Sequence, residues 1–124
     1  MDLLSWIIGP QLIGIIFTLA GYIQKRFPPK KINALYGYRM PSSMKNQETW
    51  DEANHYAARF MMRSGFMLLL VGIVTTAVLC AVNLEHETFM FVNSILLIPS
   101  AIGFCVALIV STEKHLSRKF DNKP

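Results

Sequence analysis

Three long runs of hydrophobic residues dominate the pattern of this chain. The runs at 3–23, 65–84 and 89–110 contain no charged residue over 21, 20 and 22 positions. About 20 apolar residues of α-helix are enough to cross a hydrocarbon core about 30 Å thick. Helices buried in a soluble bundle would carry a polar stripe, and none of the three runs shows one. The pattern therefore predicts an all-α integral membrane protein with three transmembrane helices, folded as one domain over residues 1–124.

The first run has an alternative interpretation as a secretory signal peptide. It lacks a basic leader, since Asp2 is its only early charge, and its apolar stretch is longer than that of a signal peptide. No small-x-small cleavage site follows it, because Tyr22, Ile23 and Gln24 lead directly to Lys25. We therefore expect it to be a retained span.

Polar side chains inside the runs are few, and no Asp, Glu, Lys, Arg or His lies in any of them. They include Gln11, Thr18, Thr75, Thr76, Asn93, Ser94 and Ser100. Proton relays and coupled ion sites usually need ionisable groups at membrane depth, which disfavours a pump. An oligomeric transporter or channel subunit, lined by these polar residues, stays open as the alternative function.

Two further features of the runs bear on helix packing. Pro10 and Pro99 each predict a kink, because proline removes a helix hydrogen bond. Small residues recur four apart, a spacing that lets helices approach closely either within one chain or in a homo-oligomer. The pairs are Gly14 and Thr18, Gly72 and Thr76, Ala77 and Ala81, Gly103 and Ala107.

Charge sets the expected orientation. Of the twelve Lys and Arg residues, eight lie in 24–64 and four in the tail 111–124, whereas the N-terminal stub and 85–88 have none. The positive-inside rule then places the N-terminus outside and both the loop 24–64 and the C-terminus in the cytoplasm. The net charge of +4 predicts attraction to anionic membrane lipid, and no nucleic-acid-binding module accompanies it.

The loop 24–64 is polar and aromatic, and it is expected to be ordered. Pro28 and Pro29 end the first helix, and Gly37, between Tyr36 and Tyr38, predicts a turn with positive φ. Pro41, Ser42 and Ser43 predict a helix start near Ser43 that runs close to or into the second span. The loop thus carries an amphipathic helix.

A helical wheel separates two faces of this helix. The face expected to be buried holds Asn46, Trp50, Asn54, Ala57 and Met61, and the opposite half holds Lys45, Glu48, Glu52, His55, Arg59 and Arg63. Buried amides need hydrogen-bond partners. We therefore expect Asn46 and Asn54 to hold the turn that carries Arg39 against the helix, with Trp50 packed between them. Whether Arg39 also binds a lipid phosphate or a partner carboxylate stays open.

The charged face offers the only candidate chemistry. Asp51, His55 and Arg59 are spaced four apart, as in a solvated ion-pair ladder. Glu48, Asp51 and His55 would make a metal or acid–base site, but Lys45 and Arg59 share that face and oppose a cation. Without a nucleophile–base pair or metal-ligand spacing, we predict no catalytic residue, metal or cofactor. A membrane enzyme acting on lipid or peptidoglycan precursors through Asp51 or His55 is the rival.

One set of residues in 33–54 resembles the signature of the SdpI/YfhL family of bacterial membrane immunity proteins. The set is Asn33, Tyr36, Gly37, Tyr38, Arg39, Pro41, Ser42, Asn46, Trp50 and Asn54. The three-span arrangement extends the resemblance over most of the chain. Met40 departs from it, because threonine is expected after the arginine.

The resemblance implies a non-enzymatic protein of the bacterial cell membrane that confers resistance to a secreted, membrane-damaging peptide toxin. It also implies a signalling role through capture of a cytoplasmic repressor. The expected outer surface is only residues 1–2 and 85–88, too little to capture a peptide. Protection would then act within the bilayer or from the cytoplasmic loop.

Overall fold

The computed structural model describes residues 6–120, which form three α-helices and no strand. Helix α1 is Pro10–Arg26, α2 is Gln47–Ala81 and α3 is His86–Phe120. The expected all-α fold is confirmed for this part of the chain. Residues 3–5 of the first apolar run and 121–124 of the tail lie outside the described residues.

Helices α2 and α3 each contain 35 residues and are long and apolar enough to cross a membrane. At 1.5 Å per residue, each extends about 52 Å, which exceeds a hydrocarbon core of about 30 Å. Helix α1 is shorter, at 17 residues. The described part therefore contains two candidate membrane-crossing helices, judged by length and composition.

The ends of the helices differ from the expected ends of the spans. Helix α2 begins at Gln47 rather than near Ser43, and it continues without a break into the second apolar run, ending at Ala81. Helix α3 begins at His86, before the third run, and extends to Phe120 through most of the predicted tail. Charged residues end the apolar runs but do not end the helices, because Lys, Arg and Glu are good helix formers.

The two prolines have different effects. Pro10 lies at the start of α1, where its missing N–H would have no partner anyway, so it begins the helix instead of kinking it. Pro99 lies inside α3, as expected. Between α2 and α3 the chain turns at Asn83, whose φ of 60° is one that asparagine tolerates.

Helix α1 packs mainly along α2 through glycines that bring the two backbones into contact. A Cβ atom placed on Gly21 would lie 2.7 Å from the carbonyl oxygen of Ala58, and one on Gly65 would lie 2.7 Å from the nitrogen of Thr18. Gly14 and Gly72 are equally crowded, whereas Gly103 of α3 has nothing within 4 Å. The expected close approach therefore occurs between α1 and α2, and not at Gly103.

An aromatic cluster joins all three helices. The ring of Phe104 on α3 stacks on Phe17 of α1, with centroids 4.2 Å apart, and meets Phe60 of α2 edge-on at 6.0 Å. Aromatic pairs in these geometries stabilise packing beyond the area they bury.

The apolar halves of α2 and α3 are largely exposed. The exposed large side chains include Phe66, Met67, Leu70, Val71, Val74, Val78, Phe91, Ile95, Ile98, Ile102, Val106 and Val110. Soluble monomers rarely expose a contiguous apolar surface of this size. Such a surface is suited to contact with lipid.

Candidate functional site

The connection between α1 and α2, residues 27–46, is built from side-chain hydrogen bonds to the backbone. Asn33 Oδ1 accepts from the N–H of Leu35 at 2.9 Å and of Tyr36 at 2.7 Å. The Tyr36 hydroxyl donates to the carbonyl of Phe27 at 2.6 Å, beside the end of α1. These bonds fix the first half of the connection in one turn, which leaves Leu35 91% exposed at its tip.

Asn54 joins α1, α2 and the turn. Its Oδ1 accepts from the backbone N–H of Tyr38 at 2.5 Å and from Gln24 Nε2 of α1 at 3.2 Å. Gln24 Nε2 also donates to the Asn54 carbonyl at 3.0 Å, and Asn54 Nδ2 donates to the carbonyl of Trp50 at 2.9 Å. The expected contact between Asn54 and the turn is therefore present. The sequence did not indicate the part played by Gln24.

Gly37 makes this contact possible. Its φ is 109°, in the region that favours glycine, and a Cβ atom there would lie 2.9 Å from the ring of Pro29. The predicted positive-φ turn is confirmed, and it places the Tyr38 N–H directly against the Asn54 amide.

Trp50 is fully buried and holds a different segment from the one expected. Its indole Nε1 donates to the carbonyl of Pro29 at 2.6 Å. Trp50 thus fixes the Pro28–Pro29 corner at the end of α1, rather than lying between two asparagines that grip the Arg39 turn.

The expectation that Asn46 is buried and holds the turn is wrong. Asn46 is exposed and is the N-cap of α2, with its Oδ1 accepting from the N–H of Thr49 at 2.9 Å. Thr49 Oγ1 accepts from the Asn46 N–H at 3.2 Å in return, which completes a capping box. The signal for this role was present in the sequence as a Thr three residues after Asn46.

Tyr38 and Ser42 connect the turn to α3 through Glu113. The Tyr38 hydroxyl donates to Glu113 Oε1 at 2.9 Å, and the Ser42 hydroxyl donates to the same oxygen at 2.7 Å. Burial, together with the neighbouring Glu113 carboxylate, raises the pKa of the Tyr38 phenol well above its usual range, so the phenol stays protonated and keeps donating. Glu113 was not among the predicted site residues.

Arg39 follows directly after this anchored turn and is exposed. One guanidinium nitrogen donates to the carbonyl of Ala34, and the guanidinium has no other hydrogen-bond or ion-pair partner within residues 6–120. Pro41, which follows, is exposed as well. The backbone next to Arg39 is thus fixed by the anchored turn, and most of the guanidinium N–H groups stay available at the surface.

The Ser43 side chain, which was predicted only to start a helix, is buried and forms hydrogen bonds with the backbone on both sides of Arg39. The Ser43 hydroxyl accepts from the Met40 N–H at 3.1 Å and donates to the Tyr38 carbonyl at 3.0 Å. The Met40 side chain packs against the buried cluster formed by Tyr38, Ala53, Ala57 and Leu116. An apolar residue therefore fits position 40, because Ser43 supplies the local hydrogen bond.

The charged face of α2 contacts α3 instead of forming a ladder along its own length. Glu52 Oε1 accepts from His115 Nε2 at 2.7 Å, and Glu52 Oε2 lies 3.2 Å from Lys119 Nζ. The Tyr56 ring stacks on His115 at 4.3 Å. Asp51 accepts from Gln47 at 2.7 Å, and within the described residues it forms no ion pair with His55. The expected Asp51–His55–Arg59 ladder is absent there.

Beside this contact lies an open cleft of about 490 Å³. It is lined by residues of the α1–α2 connection, the start of α2 and the end of α3, among them Lys30, Glu48, Asp51, His55 and Lys119. No three His, Cys, Asp or Glu side chains in residues 6–120 are placed to hold a metal ion. The lining mixes both signs of charge.

Two long helices with exposed apolar halves, and an ordered connection that packs against their polar ends, are typical of a helical membrane protein. Residues 30–112 match the SdpI/YfhL protein family. The chain is also 38% identical over 103 residues to a protein of Bacillus subtilis (strain 168) named "Uncharacterized protein YfhL", covering 83% of this chain and 81% of that protein. No solved structure matches the chain. The chain belongs to the SdpI/YfhL family.

Proposed function

We propose that this protein protects a bacterial cell against a secreted, membrane-damaging peptide toxin, as a non-enzymatic immunity protein of the cell membrane. It does so as one three-span domain over residues 1–124, with α1 as part of the first span. Membrane lipid and the toxin are its partners, and nucleic acid is not.

The observation that carries this proposal is the way in which the signature residues present Arg39. Asn54 of α2 and Glu113 of α3 both accept hydrogen bonds from Tyr38, at the end of the turn, and Gln24 of α1 donates to the same Asn54 oxygen. All three helices therefore hold the base of an exposed arginine whose N–H groups are largely free. A side chain presented in this way suits recognition of a carboxylate or phosphate.

The distribution of charge supports an orientation with the N-terminus outside and the C-terminus in the cytoplasm. The Gln24–Asn54 and Glu52–His115 contacts bring the end of α1, the start of α2 and the end of α3 to one end of the molecule. All the Lys and Arg residues within 6–120 lie at the end of α1, in the first half of α2, at the end of α3 or in the connection between α1 and α2. The positive-inside rule assigns that end to the cytoplasm, where the connection would act on the toxin's effect or capture a repressor protein.

The alternative function, an oligomeric transporter or channel subunit, requires Gln11, Asn93, Ser94 and the threonines to line a shared pathway, and of these Ser94 is exposed. Instead, Gln11 Nε2 donates to Thr76 Oγ1 at 2.9 Å, and Asn93 Nδ2 donates to the same hydroxyl at 3.3 Å. All three side chains are buried within a single chain. This arrangement favours a polar contact between helices over a pore. A homo-oligomer remains part of the proposal through the exposed Gly103 and Ala107.

A survival assay tests the function. Toxin-sensitive cells would express the wild type, Arg39→Lys or Lys31→Gln, with membrane levels matched by immunoblot, and would be challenged with a secreted membrane-damaging peptide. We expect the wild type and Lys31→Gln to protect, because Lys31 is exposed and its side chain holds nothing in place. Arg39→Lys should lose most protection, since lysine keeps the charge but not the paired N–H geometry.

Failure of the wild type to protect would contradict the immunity function. Full protection by Arg39→Lys would contradict the proposed role of Arg39, and it would leave the immunity function itself uncontradicted. Co-purification of a cytoplasmic repressor with the wild type, reduced by Leu35→Asp at the exposed tip, is the expected result for the signalling role.

A further inference from the structure

A groove on α2 lies where its charged half meets its apolar half. It encloses about 290 Å³ and is lined by Tyr56, Arg59, Phe60, Arg63, Ser64 and Met67. Arg63 is the last charged residue before the charge-free stretch 65–84. We call these six residues the arginine groove.

The two arginines of the groove have no partner to neutralise them. Arg59 and Arg63 are exposed and one helical turn apart, so they lie on the same face of α2. Neither forms an ion pair or a hydrogen bond within residues 6–120. The acidic groups nearest along α2 are engaged elsewhere: Glu52 contacts His115 and Lys119, and Asp51 contacts Gln47.

The rest of the groove is suited to the other parts of a lipid. Met67, one turn beyond Arg63, is 66% exposed and continues into the apolar surface, and the Phe60 ring forms another part of the lining. Ser64 supplies a hydroxyl at the level of Arg63. The groove therefore changes from two guanidinium groups to apolar side chains within one helical turn, as a phospholipid changes from phosphate to acyl chain.

A second cationic region lies at the same level of the molecule. Lys25 and Arg26 end α1, and with Tyr22 they line a smaller pocket against Met62 of α2. Gly21 of α1 packs against Ala58 and Met62, which fixes this level relative to Arg59 and Arg63. Cations at one level on two helices are what the anionic surface of a membrane attracts.

We propose that the arginine groove binds the phosphate of an anionic phospholipid headgroup. Arg59 and Arg63 donate paired N–H groups to the phosphate oxygens, and Met67 and Phe60 contact the glycerol and the first methylenes. A zwitterionic headgroup is bound less well, because its ammonium group is repelled by the two arginines. This site depends on the protein lying in a membrane, and not on toxin resistance.

The test uses full-length protein reconstituted in phosphatidylcholine bilayers with a trace of spin-labelled phosphatidylglycerol or phosphatidylcholine, in about 0.15 M salt to screen diffuse attraction. The fraction of each spin-labelled lipid that is motionally restricted, measured by electron paramagnetic resonance, gives the preference for the anionic lipid. Two cations at the surface predict a preference on the order of ten-fold for the wild type. Arg59→Gln combined with Arg63→Gln should abolish it.

The matched control is Lys114→Gln combined with Arg118→Gln, which removes the same charge at the same helical spacing from α3. Both residues are exposed, and neither lines the arginine groove. Retention of the preference in this control supports the site, and equal loss in both double variants would overturn it in favour of diffuse attraction. Displacement of the bound lipid by millimolar inorganic phosphate would also overturn it, because the groove would then be a site for free anions.

Discussion

At the scale of single residues, Asn54 does the most to hold the signature segment together. Its side-chain oxygen is shared by the Tyr38 N–H and by Gln24, and its NH₂ group satisfies the Trp50 carbonyl. A buried polar group that loses its partner costs about 1–3 kcal/mol. Loss of this one amide is therefore expected to loosen the Arg39 turn from α2.

Replacing Asn54 with leucine is expected to release that turn. The Tyr38 N–H would lose its acceptor, so backbone amides in 33–46 should exchange with solvent on the order of ten- to a hundred-fold faster. Hydrogen–deuterium exchange of the purified protein measures this directly. His55→Leu, the exposed neighbour on the same helix, should leave exchange in 33–46 unchanged. Equal exchange in Asn54→Leu and the wild type would show that the turn is held by other contacts.

The sequence predicted the residues whose burial follows from a local pattern. It missed the residues whose partners lie far away along the chain. The helical wheel identified Trp50, Asn54, Ala57 and Met61 as buried, since periodicity follows from the helix alone. Glu113 lies 75 positions from Tyr38, and no local pattern links them. The role of Asn46 was misassigned because periodicity does not distinguish a helix cap from a buried amide.

At the scale of elements, the packing of α1 on α2 depends on the absence of side chains. Gly14 of α1 packs against the backbone at Gly65, and Gly21 packs against the backbone at Ala58. Neither Gly14 nor Gly21 has room for a Cβ atom. Small residues are what bring helices together in lipid, where the hydrophobic effect between helices is weak. The sequence predicted small-residue contacts but not which pairs would meet.

Gly65→Ala and Gly103→Ala form a matched pair for this interface. A Cβ atom on Gly65 would lie 2.8 Å from Thr18 Oγ1, so the helices must move apart at a cost of about 1–3 kcal/mol. Gly103 has open space, and alanine there should be neutral or stabilising by up to about 1 kcal/mol. Thermal unfolding in detergent is the measurement. A lower midpoint for Gly103→Ala than for Gly65→Ala would contradict this packing.

At the scale of the whole molecule, the pattern of apolar runs predicted the helical class and the two long helices. It placed the helix ends less well: α3 continues to Phe120, ten residues past the predicted end of the span at Val110. The length of a helix depends on propensity and on contacts such as Glu52 with His115, whereas the length of a span depends only on hydrophobicity. The proposed orientation in the membrane rests on the distribution of charge, and it would decide on which side of the membrane the signature segment acts.

Site-specific labelling tests that orientation most directly. Cysteine would be placed at Leu35, the exposed tip of the signature segment, or at Glu87, the exposed start of α3, with Cys80 and Cys105 replaced by alanine. We expect a membrane-impermeant maleimide to label Glu87→Cys in intact cells, and Leu35→Cys only after the membrane is permeabilised. Labelling of Leu35→Cys in intact cells would contradict the account, because the signature segment would then face the outside, where the toxin arrives.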